Sequence, residues 1–174
     1  MNNLLVFQTD FGLDDGAISA MEGVSFGVSQ SLNIRHLTHN IPQYNIFDAS
    51  YRLFQAIGYW PEGTVFVSVV DPGVGSARKS VVAKTKTGQY IVTPDNGTLT
   101  HVYNKWGIEE VREIDETVNR LHRDDNGYVS IFHGRDLFGY CAAKLASGLI
   151  CFIFSSISFF LGSASLSVSS NSDV

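Results

Sequence analysis

The residues best placed to do chemistry are Asp71 and Arg78, which share a loop between two apolar, β-branched runs in the stretch TVFVSVVDPGVGSARKSVVA, residues 64–83. Pro72 fixes φ and has no N–H, while Gly73 and Gly75 open backbone conformations closed to other residues, so the chain can turn tightly and come close to a ligand. Val65 to Val70 has the character of a buried strand. Asp71 then stands at a strand's carboxyl end, where open α/β sheets hold their ligands. An ordinary turn reads the same way, since turns favour Gly, Pro and Asp. Asp10 occupies a matching place after the apolar run Leu4–Gln8. A carboxylate there can accept two hydrogen bonds from a vicinal diol, as the acidic residue of dinucleotide folds does with ribose. His133 lies in a third such turn, in HGRD, between the apolar Tyr128–Phe132 and the helix-like LFGYCAAKLASG. No GxGxxG or GxxxxGK[ST] pattern occurs, so no ordinary phosphate cradle is indicated.

The elements that must position these residues follow from periodicity. Leu4–Gln8 reads as a strand that breaks at Thr9, and Ala17, Ile18, Met21 and Val24 as a helix face, with Asp14 or Asp15 available to cap its first turn. Asn33–Asn40 is a weaker strand, and Ile46, Ala49, Leu53, Ala56 and Ile57 recur at helical spacing up to Gly58. Tyr44, just before that helix, either lines a site or staples the helix end. His36 and His39 show no HExxH or HxxEH pattern and are expected to be surface or core residues rather than metal ligands. Val81–Lys86 and Gln89–Thr93 predict a hairpin around Thr87 and Gly88, and TPDNGTLTHVY a turn feeding a helix with Leu99 and Val102 buried. Glu109–Asn126 is charge-rich and reads as a solvated connection. Strands alternating with helices predict a layered α/β domain, with a largely parallel sheet flanked by helices and at least one antiparallel hairpin. A parallel sheet would gather Asp10, Asp71, Arg78 and His133 on one edge.

Seventeen acidic against twelve basic residues give a net charge of -5, which argues against a surface that tracks nucleic-acid phosphates. Cys141 and Cys151 fit no metal-ligand spacing, and MNNLLVFQTD lacks the basic start and long apolar core of a signal peptide. A cytosolic compartment with reduced thiols is expected. From Leu145 to Ser172 there is no charge, and the apolar run Leu149–Leu161 is 13 residues long with three serines. A membrane span needs about 20 apolar residues, so no stable span is expected.

TDFGLDD, YWPEGTVFVSVVDPGVGSARKS, TPDNGTLT and FHGRDLF together resemble the S-adenosylmethionine (SAM) hydroxide adenosyltransferase family, relatives of the fluorinating and chlorinating enzymes, over about Leu4–Gly148. That family pairs an N-terminal α/β domain with a smaller C-terminal β-barrel and assembles as trimers, binding substrate between one subunit's first domain and its neighbour's second. The resemblance implies such an α/β domain over 1–148, without the β-barrel, and a divergent apolar and serine-rich tail over 149–174, read as a truncated or frameshifted end. It also implies hydrolysis of SAM to adenosine and L-methionine by water or hydroxide attacking ribose C5′, with Asp71, Arg78 and His133 catalytic. Asp10 would bind the ribose, with Tyr44, Phe132 and Gly134 lining the nucleoside and methionine sites, and Asn96 would serve its turn. SAM is the substrate, a small molecule, and no cofactor or metal is implied. The sulfonium leaves as a neutral thioether, so no general acid is needed, and the site can concentrate on positioning and deprotonating water. Asp71 or His133 would share the proton and Arg78 would stabilise the developing hydroxide, their roles not separated. The halide-using branch lacks the Asp and the His. Two like charges ~4 Å apart cost about 4 kcal/mol at an effective dielectric near 20, so Asp71 would repel a halide. Without the barrel the chain is expected to be inactive; the alternatives are a non-catalytic nucleoside- or SAM-binding remnant and a halide-dependent adenosyltransferase.

Overall fold

The structure, a computed structural model, describes residues 2–122, 132–149 and 154–155. The chain runs β1 (Leu4–Thr9), α1 (Ala17–Val28), β2 (Asn33–Thr38), α2 (Ile46–Ile57), β3 (Val65–Val69), β4 (Ser80–Thr85) and β5 (Tyr90–Pro94). Then come α3 (Thr100–Trp106), β6 (Ile108–Ile114), α4 (Glu116–Asn119), a π-helical turn (Gly134–Gly139) that continues into α5 (Tyr140–Ala146), and the short β7 (Phe154–Ser155). The strands form one sheet in the order β2-β1-β3-β5-β4-β6-β7. Pairing is parallel from β2 through β5 and antiparallel from β5 outward.

Alternation along the central strands builds a core on each face. Leu5 and Phe7 of β1, with Val65, Val67 and Val69 of β3, pack against Ile18 and Met21 of α1 and against Leu137, Phe138, Cys141 and Ala142. Val6 and Phe66 point the other way, to Leu53 and Ile57 of α2 and Leu99 and Val102 beside and within α3. The result is a three-layer α/β/α sandwich, and each such apolar side chain contributes about 1.5–3 kcal/mol by burial. α2 forms where the periodicity places it. The Asn45 side chain accepts from the Asp48 amide at its start, and Gly58 ends it.

β1 is flanked by β2 on one side and β3 on the other, so the chain crosses from one side of β1 to the other between β2 and β3. That reversal opens a crevice at the carboxyl ends of β1 and β3, the position at which open α/β sheets bind ligands. The predicted hairpin is present as β4 and β5. Because β4 runs antiparallel to β5, with Ser80 opposite Pro94, its first residues lie at that same edge.

The solvated connection expected over Glu109–Asn126 is instead β6 and α4 over most of its described length. Its charges do not keep it out of the sheet, because they pair across strands: Lys84 with Glu109 at 2.9 Å and Lys79 with Glu113 at 2.8 Å. Ile108 and Ile114 are buried at its two ends. Asp115 then caps α4, accepting from the Thr117 amide at 3.0 Å. The strand-like run ahead of Phe132 and most of the 149–174 segment lie outside the described residues. Among the described residues, no helix is long and apolar enough to cross a membrane.

Candidate functional site

The crevice is a cavity of about 360 Å³, within the range of small-molecule sites. Asp10, Tyr44, Asp71, Phe132, His133 and Gly134 all line it, so one wall gathers six of the seven residues singled out in the sequence. Arg78, the seventh, lies behind Asp71 and joins it to His133.

Each is held by its element. β3 delivers Asp71 at its end, buried, with only 6% of the side chain exposed. Arg78 precedes β4, where Ser80 receives a hydrogen bond from its Nη1 at 2.7 Å. The guanidinium donates from Nε at 2.9 Å and from Nη2 at 2.6 Å to the same Asp71 oxygen, Oδ2. Its Nη2 also lies 2.9 Å from His133 Nδ1, and its carbon sits 5.2 Å from the centre of the Phe138 ring. A planar fork with five donors can serve these partners together, which a single ammonium cannot.

The other carboxylate oxygen, Asp71 Oδ1, is buried and has no hydrogen-bond donor among the described residues. A buried acceptor left in this way is costly, and a donor from the cavity, water or ligand, would satisfy it. His133 stands between two guanidinium groups, with Arg120 Nη2 3.3 Å from its Nε2. Burial, then Arg120 and Arg78, holds its pKa below the ordinary value, so the ring is neutral at pH 7. A neutral imidazole has one acceptor nitrogen, and the shorter contact, with Arg78, assigns that role to Nδ1.

At the β1 end, Asp10 Oδ2 accepts from the Tyr44 amide at 2.8 Å. Tyr44 takes a φ of 63°, rare for a residue other than glycine, and the residue is 57% exposed. Phe132 packs against Phe11, ring centres 5.5 Å apart. Gly134 permits this arrangement: a Cβ there would lie 2.9 Å from both a Phe11 and a Phe132 ring carbon. Asn96 is a turn residue, binding the Val70 carbonyl from Nδ2 at 2.9 Å and receiving the Thr98 hydroxyl at 2.8 Å. Gly16 is the N-cap of α1, and Asp15 before it accepts from the Ala17 amide at 2.8 Å.

Sequence reasoning missed Ser80, Phe11 and Arg120. Phe11 follows Asp10 directly and could have been suggested by that adjacency. Arg120 falls in the stretch read as solvated, and no local pattern marks it.

The SAM hydroxide adenosyltransferase N-terminal domain matches residues 5–151. A protein named (R)-S-adenosyl-L-methionine hydrolase from Methanocaldococcus jannaschii is 38% identical over 147 residues, covering 82% of this chain and 53% of that protein. A protein named fluorinase from Actinopolyspora mzabensis is 23% identical, over 83% of this chain and 54% of its own length. The crystal structure of an uncharacterized conserved protein from Thermotoga maritima matches with a TM-score of 0.77 at 39% identity, over 83% of this chain and 54% of that one. The chain thus spans about half the length of the curated relatives it matches. A match this long, to both sequence and fold, places the chain in the SAM hydroxide adenosyltransferase family, of which it carries the N-terminal domain.

Proposed function

We propose that the cavity binds S-adenosyl-L-methionine and that its residues hydrolyse it to adenosine and L-methionine. The observation that carries this reading is Asp71 in the lining of the cavity, its buried Oδ1 without a hydrogen-bond donor among the described residues and its Oδ2 fixed by two charge-assisted bonds from Arg78. A water held by Oδ1 would have its lone pair directed into the cavity toward ribose C5′. As its oxygen bonds to C5′, the C5′–S bond breaks, the electron pair goes to sulfur, and methionine leaves as a neutral thioether. The water's proton passes to Asp71 Oδ1, which makes Asp71 the general base. Arg78 orients that carboxylate and offsets negative charge as hydroxide character develops. His133, accepting from Arg78 at Nδ1, holds the guanidinium in place, while its Nε2 meets Arg120.

Asp10, with one oxygen bound to the Tyr44 amide, would use its remaining capacity on the ribose diol. Phe11 and Phe132 would supply an apolar surface beside it. The relatives named as hydrolases support water as nucleophile over halide, as does the carboxylate in the wall. Tyr44 and Val74 at the rim are 57% and 53% exposed, so substrate held by these residues alone would remain partly hydrated, and turnover by this span would be slow.

The test is release of adenosine and methionine from SAM by the 174-residue chain with enzyme in excess, beside Asp71→Asn. The amide keeps the size of the carboxylate but cannot take a proton. The expected result is loss of roughly two to four orders of magnitude in the rate of release, with adenosine binding kept. Equal, measurable rates for the two proteins would refute the assignment.

A further inference from the structure

A second hydrogen-bonded array runs from the surface of α1 to the loop that carries Asp10. Glu22 Oε1 lies 2.9 Å from His36 Nε2, His36 Nδ1 lies 2.8 Å from His39 Nε2, and His39 Nδ1 lies 2.8 Å from Thr9 Oγ1. The Phe11 amide donates to Thr9 Oγ1 at 3.2 Å, and the Gly12 amide donates to the His39 carbonyl at 2.9 Å. His39 therefore holds the Asp10–Gly12 segment twice, by its backbone and through its ring. His39 and Thr9 are buried, at 5% and 0% exposure, whereas Glu22 and His36 are about one-third exposed.

With both imidazoles neutral, donor and acceptor inventory sets the direction of every link. An ionised Glu22 only accepts, so His36 Nε2 must donate to it, and a neutral His36 is left with Nδ1 as acceptor. His39 Nε2 must then donate to His36, which leaves His39 Nδ1 as an acceptor. The Thr9 hydroxyl donates to that nitrogen, and its oxygen lone pair receives the Phe11 amide. Protons point one way along the whole chain, from Phe11 N–H to the carboxylate of Glu22. A proton added to His39 breaks this order, because a ring donating from both nitrogens turns His39 Nδ1 from acceptor into donor.

We propose that Glu22, His36, His39 and Thr9 form a one-directional relay that positions Asp10 and Phe11 in the cavity wall, with Thr9 and His39 as the positioning residues. The proposal rests on the reading of that cavity as a nucleoside site. Burial, with a smaller contribution from His36, pushes the pKa of His39 down to about 4, which keeps it in the neutral form the relay needs. The titratable partners in the array are Glu22 from α1 and His36 from β2, whose ring also meets the Phe7 ring of β1.

The relay is tested on the 174-residue chain in three ways. Nitrogen NMR of the imidazoles at neutral pH is expected to show His39 protonated on Nε2 and bare on Nδ1; the opposite tautomer would overturn the proposal. Thr9→Val, which removes the hydroxyl at nearly constant volume, is expected to weaken adenosine binding about tenfold, the equivalent of one hydrogen bond at the ribose. Thr9→Ser is expected to restore it to within about twofold, a rescue that a mere packing defect would not show. Hydrogen exchange reads the same loop without any ligand. Protection of the Phe11 and Gly12 amides is expected to fall in Thr9→Val, and in the wild-type chain to fall on acidification before that of core amides such as Val6 and Phe66. If the wild type binds no adenosine, the nucleoside reading fails, and exchange at Phe11 and Gly12 alone decides the relay. Unchanged protection in Thr9→Val, or, should that variant not fold, loss in wild type only together with the core, would overturn it.

Discussion

Arg78→Lys separates charge from geometry at the site. The guanidinium makes two bonds to Asp71 Oδ2, one to Ser80 and one to His133 Nδ1, and its side chain is 10% exposed. Lysine keeps the charge on one nitrogen at the end of a flexible stem, so it can hold Asp71 or His133 but not both with Ser80. Charge-assisted bonds are worth about 1.5–3 kcal/mol each. Counting the loss of the second bond to Asp71 alone, the destabilisation should be roughly 1.5–3 kcal/mol, or about 3–12 °C in Tm for a chain of this length. The larger effect falls on chemistry. The two bonds on Oδ2 hold the carboxylate in place, and a misplacement of ~1 Å costs about a hundredfold in rate. Single-turnover adenosine release and a thermal melt read the two effects separately. A variant that runs at the wild-type rate would show that a nearby positive charge suffices and that the fork does not aim the carboxylate. A variant slowed merely in proportion to its unfolded fraction would refute the reasoning as well.

Asp10→Ala is expected to weaken adenosine binding roughly tenfold or more, the loss of a charged acceptor worth ~1.5–3 kcal/mol, while changing binding of 2′-deoxyadenosine less; calorimetry with both nucleosides checks it. Acid stability should follow His39. Its pKa is about 4 when folded against 6.5 when free, so the unfolded chain takes the proton first. The contribution is therefore whole above pH 6.5, declines as pH falls from 6.5 toward 4, and is gone below that, roughly 3 kcal/mol in all. Urea melts of wild type and His39→Gln across that window should converge toward the acid end. Parallel curves would contradict it.

The outline of this site was legible because its residues sit where patterns change. Asp10 and Asp71 each follow a buried run of the kind only a strand explains, and Gly58 and the Thr87–Gly88 turn mark element ends by local chemistry alone. β6 was not legible. Its glutamates and arginine resemble a solvated segment until Lys79 and Lys84 of β4 are placed opposite, a pairing set by tertiary contact. Arg120 was hidden for the same reason. His36 and His39 follow no metal-ligand pattern, and their link to Thr9 joins residues 30 apart in sequence, of which spacing along the chain carries no trace. The bond between Asp10 and the Tyr44 amide depends likewise on a backbone turn at Tyr44 that no glycine announces.

The most direct test of Asp71-directed water attack is the fate of the water oxygen. SAM incubated with excess 174-residue chain in water enriched in the heavy oxygen isotope should yield adenosine labelled at the 5′ oxygen and unlabelled methionine, with both products lost together in Asp71→Asn. Unlabelled adenosine, labelled product formed equally by Asp71→Asn, or a halogenated nucleoside in chloride buffer would contradict it.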